Sequence, residues 1–323
     1  MKTLYFEKYG NSEVLSFRDL PQPTLSPGYV LVKVHTASVN PLDWRLMQAN
    51  PFIVRMSRGW FKPTETGLGA DISGVIESTA TDVADWSPGD EVFGIMTPEI
   101  VGSFAEYVAI PKDALVRKPR SLSHAQASTL GVAALTAYEG IHDYKKPQAG
   151  DRVLINGASG GIGTFTIQMA KAYGAHVTAV CSGGNHELVR RLGADAAIDY
   201  KTVDLLKIEE RFDLIFDVIG NHPPKKMKRL LNGNGRLVLA SAATGLGFLK
   251  AIAISRKKQE PIDLILDLKK DKQRLEAVLA LFQEGKMKPV IDRDYPFDEV
   301  PDAIDYVATQ RARGKVVVHI TQE

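Results

Sequence analysis

Apolar and polar positions divide the chain into two kinds of pattern. Up to about residue 117 the runs are short and strand-like: YVLVKVHTASV (29–39), ADISGVIESTA (70–80), DEVFGIM (90–96) and FAEYVAI (104–110). Turn sequences such as Ser26-Pro27-Gly28 and Ser87-Pro88-Gly89-Asp90 punctuate them, so this region is predicted to be β-rich. One excursion, NPLDWRLMQANPFIVRMSRGWFKPTETG, interrupts the series and is predicted to be loop-rich with a short helix.

The pattern then changes. Ser123-His124-Ala125-Gln126 has capping-box spacing and predicts a long apolar helix running to about Tyr144. From Arg152 onward strands and helices alternate. RVLIN, HVTAV, AAID, FDLIFDVI and GRLVLA are predicted strands; Gly161 to Tyr173 and Glu187 to Leu192 are predicted helices, ended by Gly174 and Gly193. That rhythm predicts a doubly wound parallel sheet, so the fold class is α/β. A helix over Asp271 to Glu284, the run PVIDRDYPF, one more helix and GKVVVHI follow, and the last run is expected to rejoin the N-terminal β region.

The stretch NGASGGIG, Asn156 to Gly163, follows the strand RVLIN and opens the next helix, which is the setting a dinucleotide fingerprint needs. Aligned on G-x-G-x-x-G, its positions are Ala158, Gly160 and Gly163, so alanine replaces the first glycine. Gly160 lets backbone approach a pyrophosphate, and Gly163 lets helix pack on strand. Ser159, Gly160, Gly161 and Ile162 stand at the positive end of the helix dipole and are the expected phosphate contacts. The second strand, HVTAV, ends at Cys181-Ser182-Gly183-Gly184-Asn185 without a carboxylate. A carboxylate about 4 Å from a 2′-phosphate would cost about 4 kcal/mol per unit charge at an effective dielectric of 20, so its absence there favours NADPH over NADH. Ser182, Asn185, His186 and Tyr200 are candidate phosphate partners, with Arg190 and Lys201 behind them.

Composition narrows the class of protein. The 323 residues suffice for two domains, and 40 basic against 38 acidic residues give +2, too balanced overall to argue for nucleic acid or a membrane as partner. The clusters Lys225, Lys226, Lys228, Arg229 and Arg256-Lys257-Lys258 read as solvated helix faces. A single cysteine, Cys181, rules out an internal disulfide and a cysteine-cluster metal site, and the seven histidines show no ligand spacing. No window is apolar enough for a spanning helix, and a cytoplasmic location is the default expectation. The loop GASGGIG also occurs in short-chain dehydrogenases, which need Tyr-x-x-x-Lys on a helix. The one such spacing, Tyr29 to Lys33, lies in a predicted strand, where i and i+4 are roughly 13 Å apart.

Taken together, ADISGVIESTATDVADWSPGDEVFG, GSFAEYVAIP, ASTLGVAALTAYEGI, the glycine run, LGADAAIDY, FDLIFDVIG and GKVVVHI resemble the medium-chain dehydrogenase/reductase family along essentially the whole chain. The resemblance implies a GroES-like substrate domain over 1–120 and 287–323, and a Rossmann NADP-binding domain over 121–286. Many members hold catalytic zinc. Here Asn40 stands at the first cysteine ligand's place, and Gly69-Ala70-Asp71 where Gly-His-Glu is usual, so no metal is expected. The match is to the zinc-independent, quinone oxidoreductase-like branch, which includes enone and enoyl reductases.

In that branch the segment Asn40-Pro41-Leu42-Asp43 lines the cleft beside the nicotinamide, which makes Asn40 and Asp43 catalytic candidates, with Asn40 or nearby backbone N–H groups as oxyanion donors. Asp43 equally suits capping of the helix that follows. Thr136 matches a threonine facing the nicotinamide, Tyr200 a tyrosine on the 2′-phosphate, and Lys315 a C-terminal residue near the cofactor; Val218, after FDLIFD, joins the expected cofactor contacts. Arg45 takes the place of a pocket tyrosine of some quinone reductases, and Trp60, with Phe61, is a candidate second wall of the substrate site. The expected activity is NADPH-dependent hydride transfer to a quinone or an α,β-unsaturated carbonyl, by a homodimer. A zinc-free alcohol or enoyl-thioester reductase, or a non-catalytic NADPH-binding regulator, are the alternatives.

Overall fold

The computed structural model describes residues 1–52, 54–96, 102–241, 245–255, 260–265 and 272–321. Asp271 and the basic triplet Arg256-Lys257-Lys258 lie outside the described residues. The chain forms two compact units. One comprises Met1–Val132, Lys270–Leu279 and Ile291–Glu323, the other Ala133–Lys269 and Ala280–Val290.

The first unit begins with strands β1 (Lys2–Tyr5) and β2 (Ser16–Asp19), an antiparallel pair. Strand β3 (Tyr29–Val39) is the spine of a seven-stranded sheet. It is followed by the excursion with helices α1 (Pro41–Gln48) and α2 (Val54–Arg58), then β4 (Asp71–Thr79), β5 (Glu91–Ile95), β6 (Tyr107–Pro111) and β7 (Leu115–Arg117). Every residue of β3 except Tyr29, Lys33 and His35 is buried, which explains why its sequence reads as a nearly continuous apolar run rather than an alternation.

Two helical segments lead into the second unit, α3 (His124–Ser128) and α4 (Val132–Tyr138), with a π-helical turn over Glu139–Tyr144. The long helix expected here is therefore broken at 129–131. The cause is a close approach: a Cβ on Gly131 would lie 2.2 Å from Asp71 Oδ1. The break frees the Val132 N–H to donate to that same oxygen at 2.7 Å.

The second unit alternates β8 (Arg152–Asn156), α5 (Gly161–Ala172), β9 (His176–Cys181), α6 (His186–Arg191), β10 (Ala196–Asp199), β11 (Phe212–Asp217), α7 (Pro224–Met227), β12 (Leu231–Leu239), α8 (Gly245–Ser255) and β13 (Ile262–Leu264). All five strand pairings are parallel, in the order β10-β9-β8-β11-β12-β13. The order reverses between β8 and β11, the topological switch point where open α/β sheets bind ligands beyond the strand ends. Its core gathers Leu154, Val180, Phe212, Ile215, Leu237 and Ile262.

Helix α9 (Lys272–Gln283) then brings the chain back to β14 (Ile291–Pro296), α10 (Val300–Ala308) and β15 (Lys315–His319). Helix α10 buries Val300, Ala303, Ile304 and Val307, the i, i+3, i+4, i+7 stripe of an amphipathic helix, against the core of the first unit. Strand β15 pairs antiparallel with β3 along Thr36 to Val39, while β6 takes the same strand along Tyr29 to Lys33. The last strand thus rejoins the N-terminal sheet as expected. Among the described residues no helix is long and apolar enough to cross a membrane.

Candidate active site

The glycine run sits where β8 ends and α5 begins. The tight turn is made at Gly157, with φ +90°, one residue ahead of the position at which the motif alignment expected a glycine and met Ala158. Gly163 packs so closely that an added Cβ would lie 2.3 Å from the Gly157 carbonyl oxygen and 2.6 Å from Ala158 Cα. At Gly160 the same atom would meet nothing nearer than 3.6 Å. The run therefore combines tight helix–strand packing with open space over its middle glycine. The first-turn N–H groups of α5, at Gly161 and Ile162, have no helix carbonyl to meet, so the residues present fit a bound pyrophosphate.

Beside it, Asn185 Nδ2 donates to Ser159 Oγ at 2.9 Å, joining the loop after β9 to the glycine run. His186 Nε2 is buried without a hydrogen-bond partner. Tyr200 is 56% exposed, and its N–H donates to the Cys181 carbonyl at 3.3 Å. The structure thus brings Ser159, Gly160, Gly161, Ile162, Ser182, Asn185 and Tyr200 to the same end of the parallel sheet. It adds one group that reading HVTAV alone missed. Strand β10 pairs Asp199 with Cys181, and a Cβ on Gly183 would lie 2.7 Å from Asp199 Oδ2. The carboxylate missing from the end of β9 is thus supplied by its neighbour. Burial pushes the Cys181 thiol up to about 11, with Asp199 adding to the rise.

At the switch point itself, Asn156 ends β8 and Asp217 ends β11. Asn156 Nδ2 donates to Asp217 Oδ1 at 2.8 Å, and the same oxygen accepts from the Ile219 and Gly220 N–H groups at 3.1 and 2.9 Å. Oδ2 has no hydrogen-bond partner, and burial raises the carboxyl above its usual range. Val218, half-buried, follows directly. Thr136 lies on α4 at 7% exposure.

The Asn40 segment belongs to the first unit and has a different character. Asp71 at the start of β4 is wholly buried. Its Oδ2 accepts from Ser38 Oγ (2.6 Å), Asn40 Nδ2 (2.9 Å) and Lys315 Nζ (3.3 Å), while Oδ1 takes the Val132 N–H. Lys315 Nζ also donates to Asn40 Oδ1 at 2.6 Å. Asn40 Nδ2 has its second acceptor in the Ser38 carbonyl at 3.3 Å. Both amide hydrogens and the amide oxygen of Asn40 are engaged, and the residue is 2% exposed. The oxyanion-donor role expected of its side chain has no free hydrogen to supply it.

Asp43, in the first turn of α1, accepts from the Asn40 N–H at 2.7 Å through Oδ2 and from the Gly69 N–H at 2.9 Å through Oδ1. Burial lifts its carboxyl to about 7 against the pull of those two N–H groups. A zinc ion takes thiolate, imidazole or carboxylate ligands. Here the residues at the expected ligand positions are Asn40 and Ala70, the Asp71 carboxylate is shared with an ammonium, and the Asp43 carboxyl is taken up by two backbone N–H groups, so this donor set does not fit zinc. Among the described residues no group of three or more His, Cys, Asp or Glu gathers as a metal site. Arg45 is half-buried, its guanidinium 5.3 Å from the Trp44 ring. Trp60 stands 55% exposed and meets Phe52 edge-on, with ring centroids 5.8 Å apart.

This pairing of folds has known counterparts. Residues 26–120 match the alcohol dehydrogenase GroES-like domain and residues 192–318 the zinc-binding dehydrogenase domain. The chain belongs to the medium-chain dehydrogenase/reductase family, as a GroES-like domain joined to a Rossmann-like domain. It is 36% identical to the mitochondrial NAD(P)H oxidoreductase RTN4IP1 of Homo sapiens, over 99% of this chain and 89% of that protein. A 2-methylene-furan-3-one reductase of Solanum lycopersicum is 34% identical, over 99% of this chain and 79% of the relative. Among solved structures, the quinone oxidoreductase from Coxiella burnetii superposes with a TM-score of 0.90 at 30% identity, covering 99% of each chain. The protein is an NAD(P)H oxidoreductase.

Proposed function

We propose that this oxidoreductase is an NADPH-dependent, zinc-independent reductase that delivers hydride to a quinone or an α,β-unsaturated carbonyl. One observation carries most of the weight: Asn40 and Asp71, at positions that the family resemblance gives to zinc ligands, are bound instead to each other and to Lys315 in a buried post. Without a Lewis acid to polarise it, a simple ketone is a poor hydride acceptor. Quinones and enones are already activated, because the charge they receive is delocalised over the conjugated system.

A bound nicotinamide supplies the hydride. The chain's own residues bind and orient. The N–H groups of Gly161 and Ile162 take the pyrophosphate, Ser182, Asn185 and Tyr200 take the 2′-phosphate, and Thr136 and Val218 border the nicotinamide end. Lys315 and Asp71 hold Asn40 still, and Asp43 ties Asn40 to Gly69, so Asn40 acts as a positioning residue. The hydrogen bond to the reduced oxygen then falls to backbone at the start of α1, where Leu42 is 40% exposed and its N–H has no helix carbonyl to meet. The proton that completes the hydroquinone or the saturated carbonyl comes from solvent. Arg45 and Trp60 are the substrate-side residues of this reading, which also carries a cytoplasmic, homodimeric enzyme.

The test is oxidation of NADPH and NADH at 340 nm by chelator-treated protein with 1,4-benzoquinone and with an enone. Turnover that favours NADPH and is indifferent to added zinc is expected. Absence of turnover across a broad quinone and enone panel, or activity that appears with zinc, overturns it.

A further inference from the structure

The excursion between β3 and β4 carries apolar side chains that neither core uses. Phe52 is 61% exposed, Met56 66%, Trp60 55% and Phe61 96%. They form one neighbourhood. The Arg55 guanidinium lies 5.1 Å from the Phe52 ring, and its Nη1 donates to the Trp60 carbonyl at 3.0 Å. The rings of Phe52 and Trp60 meet edge-on.

The charge of this segment is one-sided. From Trp44 to Thr64 the sequence carries Arg45, Arg55, Arg58 and Lys62 and no carboxylate. Lys62 is exposed. Glu65 follows this run directly, and Glu7, whose carboxyl Arg18 and, more weakly, Lys62 hold below the usual range, is matched by Arg18 at 2.6 Å. A net charge near zero for the whole chain therefore conceals a locally cationic, aromatic surface.

That combination has a specific physical fit. Trp and Phe settle at the headgroup level of a bilayer, and Lys and Arg beside them are drawn to anionic headgroups. Phe52, Met56 and above all Phe61 project into solvent, and Trp60, assigned above to the substrate side, meets Phe52 at the edge of this patch. Projecting rings with cations at their rim suit a soft, anionic, apolar-cored surface better than a shaped protein pocket. We propose that the excursion over 44–64 docks the protein on anionic lipid membranes as a peripheral, salt-sensitive contact. Arg45 and Trp60 are shared with the substrate side of the reductase reading, but lipid binding requires no turnover, and vesicle binding without cofactor or substrate together with Phe61→Ser tests it separately.

The experiment mixes the protein with phosphatidylcholine vesicles and with phosphatidylcholine–phosphatidylserine vesicles, read by co-sedimentation and by tryptophan emission. Of the three tryptophans, Trp44 and Trp86 are buried at 8% and 4% exposure, so the exposed emitter is Trp60. The expected result is binding to the anionic vesicles with a blue shift of emission, reversed at molar salt, where the screening length falls to about 3 Å. Lys62→Gln weakens binding about fivefold. Trp60→Ala with Phe61→Ala weakens it on the order of 30-fold. Circular dichroism and thermal unfolding check that the variants fold, and Phe61→Ser, at the most exposed position, serves where the double variant does not. No binding to anionic vesicles at low salt, equal binding to neutral ones, or variants that bind like the parent overturn the proposal. So does concentration-dependent self-association without lipid that Phe61→Ser abolishes, since the face would then be an interface between copies.

Discussion

The glycine run and the Asn40 cluster are both polar, both built at strand ends, and opposite in what they leave unsatisfied. Around the glycine run, N–H groups of Gly161 and Ile162 point out of a helix start with no internal partner, and space is open over Gly160. Around Asn40, Asp71 accepts four hydrogen bonds, and every polar atom of the Asn40 side chain is engaged. A place meant for a ligand keeps donors in reserve. A place meant to hold the chain still uses them up. The difference teaches that proximity to a motif is not enough for a side chain to serve as a hydrogen-bond donor to a ligand; it must also have capacity left over.

The largest effect separating the two regions comes from breaking the post. Lys315→Met leaves the Asp71 carboxylate buried with its cation removed and is expected to lower stability by about 3–5 kcal/mol in urea unfolding. Adding Asp71→Asn recovers much of that loss, because the uncompensated charge goes with it. A failure to recover would show that packing, not charge, holds the cluster.

Next comes the glycine run. Gly163→Ala forces a Cβ into the Gly157 carbonyl and is expected to cost about 1–3 kcal/mol and to weaken dinucleotide binding. Gly160→Ala meets open space and should leave thermal stability nearly unchanged while still weakening binding, since the approach to phosphate is what it obstructs. Calorimetric titration with NADPH beside a melting curve distinguishes the two.

The Asp43 carboxyl sharpens the comparison through pH. Its folded value near 7 lies above the ordinary 3.8, so the folded protein keeps a proton that the unfolded chain has released between those two values. Stability is therefore expected to fall as pH rises from about 4 to 7, by up to about 1.4 kcal/mol per unit, and to level off above. Asp43→Asn should lack that slope. Denaturant midpoints across the window decide it.

The smallest effect concerns coenzyme choice. With Asp199 beside Gly183, Asp199→Asn is expected to shift preference toward NADPH by up to about fivefold in Kd. Tyr200→Phe combined with Ser182→Asp moves it the other way. Equal changes for both coenzymes would remove the 2′-phosphate from this end of the sheet.

Much of this architecture was legible because its causes are local. Strand β3 declares itself through an unbroken apolar run, and the glycine run through turn, open approach and helix packing within eight residues. The break between α3 and α4 was not legible, since apolar residues continue across it and its cause, the Asp71 carboxylate, is 61 residues away from Val132. Asp199 escaped for the same reason: its place beside Gly183 depends on the register of β10 against β9. The resemblance brought Asn40 and Lys315 to notice. Only the three-dimensional arrangement shows that they bind each other.

Strand β15 completes the sheet of the first unit, and this has a consequence for how the chain is made. Asn40 and Lys315 are separated by 275 positions. At translation rates of 5–20 residues per second, about 14–55 s pass between the synthesis of Asn40 and that of its partner. Until Lys315 is made, Asp71 lacks the ammonium that it binds in the folded chain, and β3 presents an open edge along Thr36 to Val39. The first unit to leave the ribosome is thus the last to be finished, and the second, Rossmann-like unit is complete while the first still waits for its closing strand.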